Sequence, residues 1–128
     1  MWELFKASKP HIEAIAGEFE LSPQQMFAVK HLSSQTPMTM SDLASSLGCD
    51  ASNVTAIVDK LEARGFVERK SASHDRRVKA LLVTPAGAAL QERISARSQQ
   101  APPPIERLTT EDQRALRDLL RRALDTPA

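Results

Sequence analysis

A chain of 128 residues, 41% of them hydrophobic, suffices for one compact core and is too short for two independent ones. The formal charge of +1, from 17 basic and 16 acidic residues, says nothing by itself about nucleic acid. The single cysteine, Cys49, excludes an internal disulfide framework and a cysteine-rich zinc site. No apolar run is long enough to span a bilayer, and the mixed charges near the N-terminus do not read as a signal peptide, so a soluble cytoplasmic protein with no membrane partner is expected.

The charge is unevenly placed. Residues 1–50 hold three basic against six acidic side chains, residues 51–80 hold seven against four, and residues 81–128 hold seven against six. The basic excess therefore sits in one stretch of thirty residues that runs past the pair Arg76–Arg77.

In chain order, Ile12, Ile15, Ala16 and Phe19 recur at i, i+3, i+4, i+7 and predict one face of a helix. Trp2, Leu4 and Phe5 lie upstream of Pro10, which is expected to kink or start that helix. Such apolar surface at a terminus packs either onto the chain's own core or onto a second copy. "LSPQQMFAVKHL" opens with Ser22 as N-cap, Pro23 at the first helical position and Gln25 as the return partner of a capping box, predicting a helix from about Pro23 to Leu32. "TMSDLASSLG" repeats the device with Thr39 and Asp42 and stops at Gly48.

"CDASNVTAIVDKLEARG" predicts a further helix, with Asp50 as N-cap, Val54, Ile57, Val58 and Leu61 as its buried stripe and Gly65 as its stop. At about 100° per residue Ser52, Ala56 and Asp59 oppose that stripe, with Asn53, Thr55 and Lys60 on its flanks. "FVERK" and "VKALLVT" predict an antiparallel hairpin with a long tip carrying Asp75, Arg76 and Arg77. Thr84 and Pro85 begin another helix containing Leu90 and Ile94, "APPP" at 101–104 breaks it, and "LTTEDQRALRDLLRRAL" supplies the last one, capped at Thr109.

The expected fold is mainly α with a small antiparallel β-hairpin. Two helices joined by a Gly-containing turn, the second presenting small polar side chains, form a helix-turn-helix. The major groove, roughly 12 Å wide, admits a helix only if the exposed face is not bulky, and Ser52, Asn53, Thr55 and Ala56 meet that condition. Asn pairs bidentately with adenine, Ser and Thr bond to bases or phosphates, and the Ala and Thr methyls suit the thymine methyl. The hairpin tip can reach a neighbouring minor groove, whose negative potential attracts Arg76 or Arg77, with Asp75 orienting one guanidinium. Arg69, Lys70 and Lys79 are candidates for the phosphate backbone, and Lys60 on the helix flank is a further DNA-binding candidate. Taken singly, a basic polar loop is commonly just solvated, and a small polar helix face is common outside DNA-binding proteins. The ordered combination is what points to DNA.

Residues 38–87, above all "NVTAIVDKLEARGFVER" running into "DRRVKALLVTPAG", resemble the MarR family of bacterial transcription regulators, and the likeness continues through the last helix. The resemblance implies a winged helix-turn-helix lobe at residues 21–85 within a single domain spanning 1–128. It also implies N- and C-terminal dimerisation helices at 1–20 and 86–128, and a homodimer on a pseudo-palindromic double-stranded operator. The recognition helix would be residues 51–64 and the minor-groove arginine Arg77. The apolar termini then become a subunit interface. The family commonly carries a small-molecule site, for which Ile12, Ile15, Phe19 and His31 are the candidates and a small aromatic or phenolic acid the effector. The N-terminal helical region is short for the family, and the reactive N-terminal cysteine of its oxidant sensors is missing. Cys49 reads as a small packed side chain, the alternative being a thiol whose oxidation blocks DNA binding.

Other classes fit less well. Ser73, His74 and Asp75 are sequence neighbours and do not converge as a catalytic triad must. His11, His31, His74 and Cys49 are too scattered for a metal site, and there is no Gly-rich phosphate loop, so neither catalytic residues nor a cofactor are expected. A winged-helix module that binds protein instead of DNA would replace the small polar face and the arginines with apolar or acidic residues.

Overall fold

The computed structural model describes residues 1–72 and 75–125, with backbone alone at 72 and 75–78. Its elements are α1 (Trp2–Glu18), α2 (Pro23–His31), β1 (Met38–Thr39), α3 (Met40–Leu47), α4 (Ala51–Ala63), β2 (Val67–Ala72), β3 (Asp75–Val83), α5 (Pro85–Ser98), α6 (Pro103–Glu106) and α7 (Thr110–Asp125). The chain divides into two compact units, one of Met1–Ile12 with Gln100–Ala128 and one of Glu13–Gln99.

Helix boundaries follow the local chemistry. Ser22 and Thr39 each accept from the amide three residues on, while Gln25 and Asp42 bond back to the cap amide. Two capping boxes thus satisfy helix N–H groups that would otherwise lack partners. Gly48 ends α3 in the left-handed conformation at φ 64°, which a side chain with a Cβ adopts only under strain. Thr84 caps α5 by accepting from Gly87 N, and Pro85 occupies the position where its missing N–H costs nothing.

Two expectations are corrected and one is extended. Pro10 does not start α1, which runs on either side of it; a single proline removes one donor without ending the helix. The prolines after Ala101 do not only break a helix, because Pro103 and Pro104 open the short α6, where a fixed φ is an advantage. The hairpin tip is shorter than the sequence suggests. Strands reach Ala72 on one side and Asp75 on the other, so Asp75, Arg76 and Arg77 have strand backbone, and Ser73 and His74 lie outside the described residues.

In the unit Glu13–Gln99 the sheet order is β1-β3-β2, all antiparallel. β1 is two residues long and pairs Met38 with Leu81 and Thr39 with Ala80, a strand created by its partner and not by any pattern of its own. Every buried apolar side chain among the described residues belongs to this unit, including Leu43 of α3, the α4 stripe Val54, Ile57, Val58 and Leu61, and Leu81, Leu90 and Ile94. At about 1.5–3 kcal/mol per fully buried aliphatic side chain, the α4 stripe alone holds that helix against the rest of the lobe. Gln91 of α5 reaches the last turn of α2 and donates from Nε2 to the carbonyls of Val29 and Leu32, both at 2.6 Å.

The unit of Met1–Ile12 with Gln100–Ala128 is the opposite case. It holds all the exposed large apolar side chains among the described residues: Met1, Trp2, Phe5, Leu108, Leu119, Leu120 and Leu124. Trp2 and Phe5 stack with ring centroids 5.6 Å apart while remaining 69% and 53% exposed.

Candidate nucleic-acid interface

α3, the turn Gly48–Asp50 and α4 form the helix-turn-helix. Because Val54, Ile57, Val58 and Leu61 are drawn into the core, the geometry of a 3.6-residue turn leaves Ser52, Asn53, Thr55, Ala56, Asp59 and Lys60 on the solvent side, and all six are exposed. The sequence expectation for this face agrees with their placement. Thr55 donates from Oγ1 to the carbonyl of Ala51 at 3.0 Å, which fixes its rotamer and leaves the hydroxyl lone pairs to accept. Asp50 occupies the N-cap position but makes no side-chain cap bond. The first amides of α4, not capped by Asp50, stand at the positive end of the helix dipole, an arrangement suited to a phosphate oxygen.

Beside this face runs the sheet. Lys70 lies 3.4 Å from Glu68, and Lys79 donates to Ser71 Oγ at 3.3 Å. Both lysines are exposed. The side chains of Asp75, Arg76 and Arg77 lie outside the described residues, although their backbone is part of β3.

Arg69 is placed differently from what its sequence neighbourhood suggests. Its guanidinium bonds to Asp59 Oδ1 and lies 3.6 Å from Glu62 Oε1, both on α4. The signal for this was the two-residue period of the strand. Val67 faces the core, so Arg69, two residues on, faces the same way.

The four sequence candidates for a ligand site have separate surroundings. Ile15 is a core residue, Ile12 is half-buried, and His31 is exposed with Nδ1 2.7 Å from the carbonyl of Phe27. Phe19 lines a shallow cleft with Glu18, Arg93, Ala96 and Arg97, and Ile12, Ile15 and His31 are not part of that cleft. There Arg93 lies over the Phe19 ring, 5.2 Å from its centroid. Arg97 grips Glu18 through two bonds of 2.8 Å, and this hydrogen bonding raises the guanidinium pKa. Arg64, from the end of α4, donates to the carbonyls of Phe19 and Glu20 at 3.1 and 2.8 Å. No local pattern announces these arginines, since their partners lie far away in the chain.

Cys49 is half-buried, with Gln24 Nε2 3.9 Å from its sulfur and the Leu47 carbonyl 3.6 Å away, a packed position in the turn. Among the described residues no group of three His, Cys, Asp or Glu could hold a metal ion, and no helix is long and apolar enough to cross a membrane.

Comparison with known proteins shows what this geometry resembles. The MarR family model matches residues 21–79. An uncharacterized helix-turn-helix transcriptional regulator of Bacillus subtilis, YfiV, is 35% identical over 60 residues, which are 47% of this chain and 38% of that protein. The transcriptional repressor MprA of Escherichia coli K12 is 43% identical over 47 residues, 37% of this chain and 27% of its own. The chain thus matches well under half the length of either relative. Among solved structures, apo wild-type MarR from E. coli superposes with a TM-score of 0.82 at 22% identity, covering 93% of this chain and 88% of that one. A MepR variant from Staphylococcus aureus bound to an oligodeoxyribonucleotide gives 0.67 at 19%, covering 95% and 91%. At these identities the likeness is one of fold.

Proposed function

We propose that this chain, a MarR-family winged-helix protein by its residues 21–79, binds a double-stranded DNA operator in a sequence-specific manner and regulates transcription, acting in the cytoplasm as a repressor and not as an enzyme. The observation that carries the reading is the solvent face of α4: small, hydrogen-bonding side chains on a helix rigidly backed by core residues, with an N-terminus not capped by Asp50 and a β-ribbon alongside. Ser52, Asn53, Thr55 and Ala56 read base edges. Lys60, Lys70 and Lys79 meet phosphates, and Arg77, with Arg76 and Asp75, serves the minor groove. The DNA-bound structure of like fold and the named repressor support the reading of a DNA-binding regulator.

The functional form we propose is a homodimer on a pseudo-palindromic site, with residues 21–85 as the DNA lobe and residues 1–20 and 86–128 supplying the dimerisation helices. Trp2, Phe5, Leu119, Leu120 and Leu124 are too apolar and too exposed to face water in the working protein. The proposed effector is a small aromatic or phenolic acid, for which Phe19 is the sequence candidate that lines a cleft.

Fluorescence anisotropy against the upstream intergenic duplex and a scrambled duplex, at several salt concentrations, tests the DNA reading. Tight binding that falls steeply with salt and prefers the native duplex supports it. Weak binding to both, and failure to select any site from random DNA, would replace it with a protein-binding role. Sedimentation velocity tests the dimer, and added aromatic acids that leave DNA affinity unchanged would remove the effector.

A further inference from the structure

We infer that Arg69 serves DNA binding by masking acidic charge on the recognition helix, not by touching DNA. The inference rests on the proposed DNA-binding role of α4. In the antiparallel pair of β2 with β3, Val67 stands opposite Val83 and Arg69 opposite Leu81. Directly opposed residues share a face, and Val67, Val83 and Leu81 are all buried, so the register directs Arg69 under the sheet toward α4. A half-buried cation there is stabilised by pairing, and α4 provides Asp59 and Glu62 one turn apart. The forked guanidinium meets both carboxylates at once, a geometry Lys does not reproduce.

Ser52, Ala56 and Asp59 follow one another at i, i+4, i+7, so Asp59 prolongs the proposed reading face by one turn and is 56% exposed. An uncompensated carboxylate at that place would repel the phosphates of a bound duplex from within a Debye length, about 8 Å at physiological salt. Arg69 is 27% exposed and lies between the sheet and the helix, where its single positive charge offsets one of the two carboxylates with most of its own surface covered. It is a positioning and charge-masking residue, and the basic count of the hairpin overstates the number of phosphate contacts by one.

The test is a mutational cycle in the full chain, read by anisotropy across a salt series: wild type, Arg69→Gln, the double variant Asp59→Asn with Glu62→Gln, and the triple variant, each checked for folding by circular dichroism and urea unfolding. Masking predicts that R69Q weakens binding about tenfold, that D59N with E62Q binds at least as tightly as wild type, and that adding R69Q to that pair changes affinity less than about twofold with no change in salt slope; tenfold corresponds to 1.4 kcal/mol. If R69Q costs the same in both backgrounds and lowers the slope by about 0.9, Arg69 is a phosphate contact and the inference fails. It also fails if D59N with E62Q weakens binding as much as R69Q does, which would make the pairing purely structural. Should R69Q not fold, R69K replaces it, with a smaller loss expected in the wild-type background and none in the neutral one; equal losses would overturn masking. If wild type shows no salt-sensitive binding to any selected duplex, the DNA reading itself has failed, and this inference falls with it.

Discussion

Replacing Gly87 by alanine tests whether the join between α4, the sheet and α5 is as tight as the structure makes it. A Cβ at this position would stand 2.1 Å from the carbonyl oxygen of Phe66, 2.7 Å from Val83 Cγ1 and 3.0 Å from the Phe66 carbonyl carbon. The first contact is to backbone, which cannot rotate away. That same carbonyl accepts from Thr84 N at 3.1 Å, and the Thr84 hydroxyl donates to the carbonyl of Gly65 while accepting from Gly87 N. Any shift that relieves the clash therefore loosens the cap of α5. Overpacking costs about 1–3 kcal/mol and a lost hydrogen bond about 1 kcal/mol more, so Gly87→Ala is expected to destabilise by about 2–4 kcal/mol. For a chain of this size that lowers Tm by roughly 8–15 °C. The control is Gly17→Ala in α1, where nothing lies within 4 Å of the added methyl and a gain of about 0.5 kcal/mol is expected from helix propensity. Both are measured by urea and thermal unfolding at one fixed protein concentration, since association raises apparent stability. A Gly87→Ala protein as stable as wild type would refute the packing argument and with it the physical reason for a glycine two residues after Pro85.

Arg77→Ala is expected to weaken operator binding by about 1–3 kcal/mol with the unfolding midpoint unchanged, and unchanged affinity in the anisotropy titration would remove the hairpin from the mechanism. Asn53→Ala should cost about 1–3 kcal/mol on the preferred duplex and little on a scrambled one, a contrast that competition titrations measure. Gln91→Ala leaves the carbonyls of Val29 and Leu32 without their donor, and a loss of about 1–3 kcal/mol in urea unfolding is expected; no change would mean that water replaces the amide. Thr39→Ala dismantles a capping box, for which about 1 kcal/mol of stability loss is expected in the same experiment.

Most of the secondary structure was legible because its signals are local. Ser22 with Gln25, Thr39 with Asp42, Gly48, Gly65 and Thr84 with Pro85 act within a few residues of themselves, and the i, i+3, i+4, i+7 spacing of Val54, Ile57, Val58 and Leu61 fixes which side of α4 faces outward. The exposed candidates Ser52, Asn53, Thr55 and Ala56 could therefore be named without coordinates. Relationships between residues distant in sequence emerge only when the elements pack. β1 exists because β3 offers Leu81 and Ala80 as partners, and two residues carry no period of their own. Arg69 looked like one more basic side chain until the strand register turned it toward Asp59 and Glu62. Arg64 and Gln91 find their carbonyls 45 and 62 residues away at most. Helix caps and amphipathic stripes are written in neighbouring residues because one turn of chain brings them together; the partner of a buried or half-buried charge depends on how whole elements pack, and only the folded chain supplies that.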